Sequence, residues 1–345
     1  MSLEKAPSTN SIGREKKDYM GAKSTLCTGC GHDSVTNHLI SALFQSGVNP
    51  FKVAKMSGIG CSSKTPTYFL EKSHGFNSIH GRMAPVATGA KVVNPELITL
   101  GISGDGDTAS IGFGGFAHMI RRNLPIVYII ENNGVYGLTK GQFSATADQN
   151  STQKSGEQNP FTSIDICSLA IDLGCDFVAR SFSGDAKQLI PIIDAALRHN
   201  GTAVIDVVSP CITFANHEGS TKSFNAVKAH NVQLQELGFI QPQEEIKVDY
   251  AEGTTQVVEL SDGSRLLLTK IDSRNFDLRN RAQSIEALHR ARAKCEILTG
   301  LFYFNPASKS LIDILHMSQT PLVSLNEKDL KPTQSALDEM MAEFS

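Results

Sequence analysis

Short β-rich runs recur between residues 51 and 209, each followed by a polar or glycine-bearing break. They are Phe51–Ser57 (FKVAKMS), Leu97–Ser103 (LITLGIS), Pro125–Glu131 (PIVYIIE), Asp176–Phe182 (DFVARSF) and Ala203–Ser209 (AVIDVVS). Helical patterning is clearest between them at Thr108–Arg122 and Asp185–Asn200. Strands alternating with helices predict an α/β fold, a doubly wound and mostly parallel sheet. A near-continuous apolar run such as IVYII fits a sheet buried on both faces.

Beyond residue 212 the pattern changes. A polar stretch to about Glu245 precedes IKVDY, TQVVEL and SRLLLTK, with SDG between the last two reading as a hairpin turn. A helix is expected over Asp277–Thr299, followed by an extended tail carrying Pro306, Pro321 and Pro332 and suited to wrapping a neighbour. The expected organisation is a polar arm (1–22), an α/β domain (23–215), an extension with a small β-hairpin (216–305) and a tail (306–345).

Composition narrows the class. The 345 residues are 40% hydrophobic and 19% charged, an ordinary globular balance. A net charge of -3 leaves no basic footprint for nucleic acid. No apolar run is long enough for a membrane span, and the polar start lacks the apolar core of a secretory signal. A cytoplasmic setting is therefore expected, in which the seven cysteines are thiols or metal ligands rather than disulfides.

The unusual residues fall where the predicted strands end. Gly60-Cys61 follows the first strand, Gly104-Asp105-Gly106 the second, Asn132-Asn133 the third and Cys211 the last. Open α/β sheets bind ligands at this carboxyl rim. Gly104, Gly106 and Ala109 satisfy G-x-G-x-x-A, and Glu131 stands roughly where a ribose-binding acid would, so a nicotinamide-dependent Rossmann dehydrogenase is a rival reading. Asp105 argues against it. A carboxylate in that turn repels a pyrophosphate unless a cation such as Mg²⁺ bridges them, and Asn133 can supply a second oxygen.

Cys27-Thr-Gly-Cys30 is a C-x-x-C, to which Cys61 and Cys211 add two thiols at strand ends. Four thiolates suffice for a 4Fe–4S cluster, and equally for zinc in a non-catalytic binding protein. Cys167, Cys175 and Cys295 read as small buried hydrophobes. Of the histidines near glycines (His32, His74, His80 and His217), most are structural hydrogen-bonders on general grounds.

The pair G-D-G…N-N resembles the diphosphate–Mg²⁺ signature of thiamine-diphosphate enzymes. Asn132–Gln142 (NNGVYGLTKGQ) more narrowly resembles the β subunits of 2-oxoacid:ferredoxin oxidoreductases. So do H-G-R (His80–Arg82), PVATGAK (Pro85–Lys91), SPCITF (Ser209–Phe214) and TGLFYFNP (Thr299–Pro306), the resemblance running from about Cys27 to Pro306. It implies that Asp105, Asn133 and the Val135 carbonyl hold Mg²⁺. It also implies that Gly60, Cys61, His80, Gly104, Gly106, Asp107, Tyr136, Gly137, Leu138 and Thr139 contact thiamine diphosphate. Cys27, Cys30, Cys61 and Cys211 would hold one 4Fe–4S cluster. One departure is Asn132, where many relatives carry Asp. The implied activity is CoA-dependent oxidative decarboxylation of a 2-oxoacid, with electrons passed to ferredoxin. An α subunit would supply the second cofactor domain, in an α₂β₂ assembly. The block GIGCSSKTP (Gly58–Pro66) resembles that of subunits acting on 2-oxoglutarate, with Lys64 facing the distal carboxylate and His80 a catalytic candidate. Pyruvate is the alternative substrate.

Overall fold

The structure is a computed structural model describing residues 9–152, 156–211, 245–260 and 265–344. Nine strands form one sheet. In chain order the elements begin with α1 (Gly31–Gln45), β1 (Val53–Ser57), β2 (His74–Asn77), α2 (Met83–Val93), β3 (Ile98–Gly104), α3 (Phe113–Arg122) and β4 (Ile126–Asn132). A short hairpin of β5 (Val135–Tyr136) and β6 (Gln142–Phe143) follows. Next come α4 (Ile166–Asp172), β7 (Phe177–Phe182), α5 (Ala186–Leu197), β8 (Ala203–Val208), β9 (Thr255–Glu259), β10 (Arg265–Lys270), α6 (Arg281–Ala293) and β11 (Ile297–Phe304). The sheet order is β2-β1-β3-β4-β8-β7-β11-β10-β9, parallel except where β7 meets β11 and β9 meets β10.

Side-chain alternation sends the central strands into two cores, one on each face of the sheet. On β4, Ile126, Tyr128 and Ile130 enter one core, shared with α2, α3, α4 and α6. Val127 and Ile129 enter the other, shared with α1 and α5. That two-sided burial is why IVYII shows no polar alternation. The sheet is thus doubly wound, as its sequence pattern predicts. Among the described residues, no helix is long and apolar enough to cross a membrane.

Register fixes the rim. Gly104 pairs with Glu131, and Asn132 with Val208. Asp105, Asn133 and Ser209 therefore leave the sheet side by side.

Several elements differ from expectation. The helix expected over Thr108–Arg122 is a π-helical turn, Gly106–Ile111, broken from α3 at Gly112. The helix expected over Asp277–Thr299 ends at Ala293, because Cys295 adopts a left-handed φ of 58° and the chain re-enters the sheet as β11. IKVDY forms no strand; it packs alongside Gly184 through the Val248 N–H to Gly184 O bond of 3.1 Å. The SDG turn and His217 lie outside the described residues. Instead of a coreless arm, the N-terminal stretch buries Tyr19 completely, its hydroxyl donating to Val48 O at 2.6 Å. The tail contains three short helices, α7 (Leu311–Ile314), α8 (Glu327–Leu330) and α9 (Gln334–Ala342), where an extended chain is expected.

Candidate functional site

Asp105 stands at the head of the π-helical turn and is buried. Its Oδ2 accepts from Thr146 Oγ1 at 2.6 Å and from the Ser144 hydroxyl, and its Oδ1 lies 3.3 Å from the Asn133 amide N. Asn133 is itself held by the Val135 N–H, which donates to its Oδ1 at 3.1 Å. Gly106 must lack a side chain, since a Cβ there would meet the Tyr136 ring at 2.4 Å. The Tyr136 hydroxyl donates to Gly106 O at 3.1 Å, tying the β5–β6 hairpin to the turn, and burial raises its pKa.

Asp107 lines the same cleft as Asp105, with its carboxylate engaged by four donors of the protein. Its carboxylate accepts from Ile59 N at 3.2 Å, Gly81 N at 2.7 Å, Ser103 Oγ at 2.6 Å and the Nδ1 of His80. A Cβ on Gly58 would come within 1.9 Å of it, so Gly58 makes that approach possible. Asp107 therefore joins the turns after β1, β2 and β3. With Nδ1–H donated to Asp107, His80 keeps Nε2 for other partners.

These groups surround one cleft enclosing about 500 Å³. Every residue expected to contact the cofactor lines it: Gly60, Cys61 and His80; Gly104, Asp105, Gly106 and Asp107; Asn133 and Val135; and the hairpin residues Tyr136, Gly137, Leu138 and Thr139. Lys64 does not. It is half-buried on the 3₁₀ turn Ser62–Thr67, where its charge lowers the pKa of Cys61 against the larger, raising effect of burial. His74 is exposed on the edge strand β2.

Two further residues line the cleft, Glu131 and His32, neither of which the resemblance gave a cofactor contact. Glu131 is fully buried, and burial holds its carboxyl well above the usual range although Thr65 Oγ1 donates to it at 3.0 Å. His32 Nδ1 lies 3.7 Å from that carboxyl, and burial pushes this imidazole down to about 4. Burial thus favours the uncharged form of each. An acid inside an apolar strand followed by Asn-Asn was the available signal.

The four candidate cluster cysteines come from three segments: Cys27 and Cys30 before α1, Cys61 after β1 and Cys211 after β8. Cys27 is exposed, Cys30 buried, and Cys61 and Cys211 half-buried. Burial raises the Cys30 thiol, and charge on Cys211, Glu131 or Cys27 raises it further; burial and Cys211 do the same to Cys61. The thiols are thus within electrostatic reach of one another. Among the described residues, no three His, Cys, Asp or Glu side chains close into a metal-holding group. Thiolates that repel one another are a donor set suited to a cationic soft-metal centre, which reverses the sign of their interaction. Cys167 and Cys175 are buried in the core, as expected, whereas Cys295 is half-buried in a turn.

The oxygen donors at the Asp105 end suit a hard cation. Asp105, the Asn133 amide and the Val135 backbone line one cleft, a set matching Mg²⁺ bridged to a diphosphate.

Comparison with known proteins agrees with this class. The family model for the C-terminal TPP binding domain of thiamine pyrophosphate enzymes matches residues 56–207. The chain is 42% identical to the 2-oxoacid:ferredoxin oxidoreductase subunit beta of a Sulfolobus species over 189 residues, 54% of this chain and 62% of that one. It is 30% identical over 273 residues to the 2-oxoglutarate synthase subunit KorB of Methanothermobacter marburgensis, covering 77% of this chain and 90% of the relative. The structure also superposes on a 2-oxoglutarate:ferredoxin oxidoreductase from Magnetococcus marinus, solved with 2-oxoglutarate, coenzyme A and succinyl-CoA bound, with a TM-score of 0.72 at 28% identity over 96% of each chain. The chain belongs to the family of 2-oxoacid:ferredoxin oxidoreductase beta subunits. Its match spans only 60–62% of the length of the four relatives at 40–42% identity.

Proposed function

We propose that this chain is the thiamine-diphosphate-binding, iron–sulfur subunit of an enzyme that oxidatively decarboxylates 2-oxoglutarate with coenzyme A and passes the electrons to ferredoxin. The observation that carries the reading is the convergence of Asp105, Asn133 and the β5–β6 hairpin on one cleft whose edge bears Cys61. The 2-oxoglutarate assignment draws on the relatives named for that acid and on the bound molecules of the structural neighbour.

When bound, thiamine diphosphate supplies the electron sink that decarboxylation of a 2-oxoacid requires. Asp105, Asn133 and the Val135 carbonyl would hold its Mg²⁺, and the glycines at 104 and 106 let the backbone approach the diphosphate closely. His80, its Nδ1–H given to Asp107, can accept or return a proton through Nε2 at the substrate. Cys27, Cys30, Cys61 and Cys211 would hold the 4Fe–4S cluster at the same rim, a short path for single electrons. Leu138, in the cleft lining, is 54% exposed, and Ile79, next in sequence to His80, is 74% exposed, which supports an α subunit closing over this face.

The test is anaerobic co-purification with the partner subunit. Acid-released thiamine diphosphate, iron and sulfide near four per chain, and ferredoxin reduction that favours 2-oxoglutarate over other 2-oxoacids are expected. Reduction that favours pyruvate would replace the substrate, and absence of thiamine diphosphate would overturn the reading.

A further inference from the structure

Behind Asp105 a chain of buried polar side chains crosses the sheet. Arg180 on β7 donates through Nε to Asp206 Oδ2 at 2.7 Å and through Nη2 to Asp165 Oδ2 at 2.7 Å. Asp206 on β8 accepts through its other oxygen from Asn132 Nδ2 at 2.9 Å. The Thr146 hydroxyl lies 3.0 Å from Asn132 Oδ1 and 2.6 Å from Asp105 Oδ2. Arg180, Asp206, Asn132 and Thr146 are all buried. Burial opposes the charge on Arg180, but Asp165, Cys167 and Asp206 outweigh it and hold the guanidinium well above its usual range.

An ion-paired arginine inside a parallel sheet is an expensive way to fill space, because desolvation offsets much of the attraction. Its value lies in direction. We propose that Arg180, Asp206, Asn132 and Thr146 form a positioning network that aims the Asp105 carboxylate into the cleft and so sets the affinity for Mg²⁺–diphosphate. None of the four is needed as a ligand. The proposal rests on the reading of Asp105 as the Mg²⁺ ligand.

Asn132 is the hinge of the argument. An amide can donate to Asp206 on one side and present its oxygen on the other to the Thr146 hydroxyl, whose single hydrogen is shared between Asn132 and Asp105; a carboxylate at 132 could not donate to Asp206. An aspartate there would face Asp206 with no hydrogen between them. Exchanging the two groups restores the pattern: an asparagine at 206 could accept from Arg180 and donate to an aspartate at 132, which would still accept from Thr146.

The experiment is calorimetric titration of thiamine diphosphate, with and without Mg²⁺, into the full chain purified with its partner, alongside thermal melting. Losing one hydrogen bond to the Asp105 carboxylate in Thr146→Val should weaken Mg²⁺-dependent binding about tenfold or more, with Thr146→Ser close to wild type. Asn132→Asp should weaken it comparably, and Asn132→Asp with Asp206→Asn should return it to within about threefold of wild type. Wild-type affinity in both Thr146→Val and Asn132→Asp, or a double variant no better than Asn132→Asp, would overturn the network. If Asn132→Asp fails to fold, the Thr146→Val and Thr146→Ser pair decides alone. A wild-type complex that shows no Mg²⁺-dependent binding identifies instead a failure of the family reading, and the network falls with it.

Discussion

The Asp105 end and the cysteine end of the same rim are held in different ways. Asp105 and the Asn133 N–H beside it stand at the adjacent ends of β3 and β4, and Asp105 receives hydrogen bonds from Ser144 and Thr146 in the loop after β6. The four cysteines come from the segment before α1, the turn after β1 and the stretch after β8, and nearby thiol charge raises the pKa of both Cys30 and Cys61. One end is preorganised by the sheet. The other brings together groups that repel one another until a cation lies between them. Under the proposed assignment of the two sites, diphosphate binding would depend on fixed geometry, whereas a cluster would itself supply much of the order at its site.

The sharpest way to break this comparison is Asp105→Ala. Without the carboxylate, the diphosphate faces no bridging cation, so thiamine diphosphate should be lost while the fold and the iron content persist. Cofactor analysis and circular dichroism check both halves; near-normal cofactor with Mg²⁺ present contradicts it. Asn133→Ala should weaken binding less, since a neutral oxygen contributes less to a hard cation.

At the other end, Cys211→Ser should cost most of the iron and sulfide, with Cys167→Ser and Cys175→Ser costing little. Cys167 and Cys175 are sealed in the core, their thiols near the backbone carbonyls of Ala179 and Thr202. Equal iron loss from Cys167→Ser would show that the ligand set is wrong.

How these ends arise explains what the sequence could show. Strand ends marked by Gly104-Asp105-Gly106 and Asn132-Asn133 were legible because strand spacing and turn chemistry are local. The partners of those residues were not. Ser144 and Thr146 lie about 40 positions from Asp105, and nothing in their local sequence points to it. The resemblance implied a cofactor contact for Asp107, but its hydrogen bonds to Ile59, His80, Gly81 and Ser103 join segments that no local pattern links. Strand β11 was hidden because α6 leads almost directly into it, and only the left-handed Cys295 marks the break. Likewise, Tyr19 gave the polar N-terminal stretch a core anchor that periodicity could not register.

A third prediction concerns how the cysteine end is anchored. The loop after Cys61 is tied to β1 by Lys55, whose ammonium is buried and donates to Pro66 O at 2.5 Å, Leu70 O at 2.9 Å and the Phe69 carbonyl. Burial lowers its pKa to about 8, which leaves it charged at neutral pH. Lys55→Met removes all three donors and leaves buried carbonyls unpaired, a loss of about 3 kcal/mol of stability. Denaturant unfolding measures it. Iron content should fall further than thiamine diphosphate content, because Asp105 does not depend on that loop. Equal losses of both would erase the contrast between the two ends.

The smallest expected effect falls on Lys64, at the boundary between the two ends. It is half-buried beside Cys61 and outside the lining of the cleft, so its charge acts at short range rather than by lying within the site. A substrate such as 2-oxoglutarate brings a second carboxylate into a site shielded from water, and an unpaired charge there is costly. A flexible ammonium would swing to meet it if a partner subunit closes the cleft as proposed. Pyruvate has no distal group for it to meet. Lys64→Ala should therefore raise the KM for 2-oxoglutarate, by about 1.5–3 kcal/mol of lost binding, and leave pyruvate turnover nearly unchanged. If Lys64 serves Cys61 instead, the same variant would alter iron content and the turnover of both acids together. Steady-state kinetics with the two acids, paired with an iron assay, separates these outcomes. Unchanged selectivity with unchanged iron would mean that this lysine reads neither the substrate nor the cysteine, and that an α-subunit cation meets the distal carboxylate.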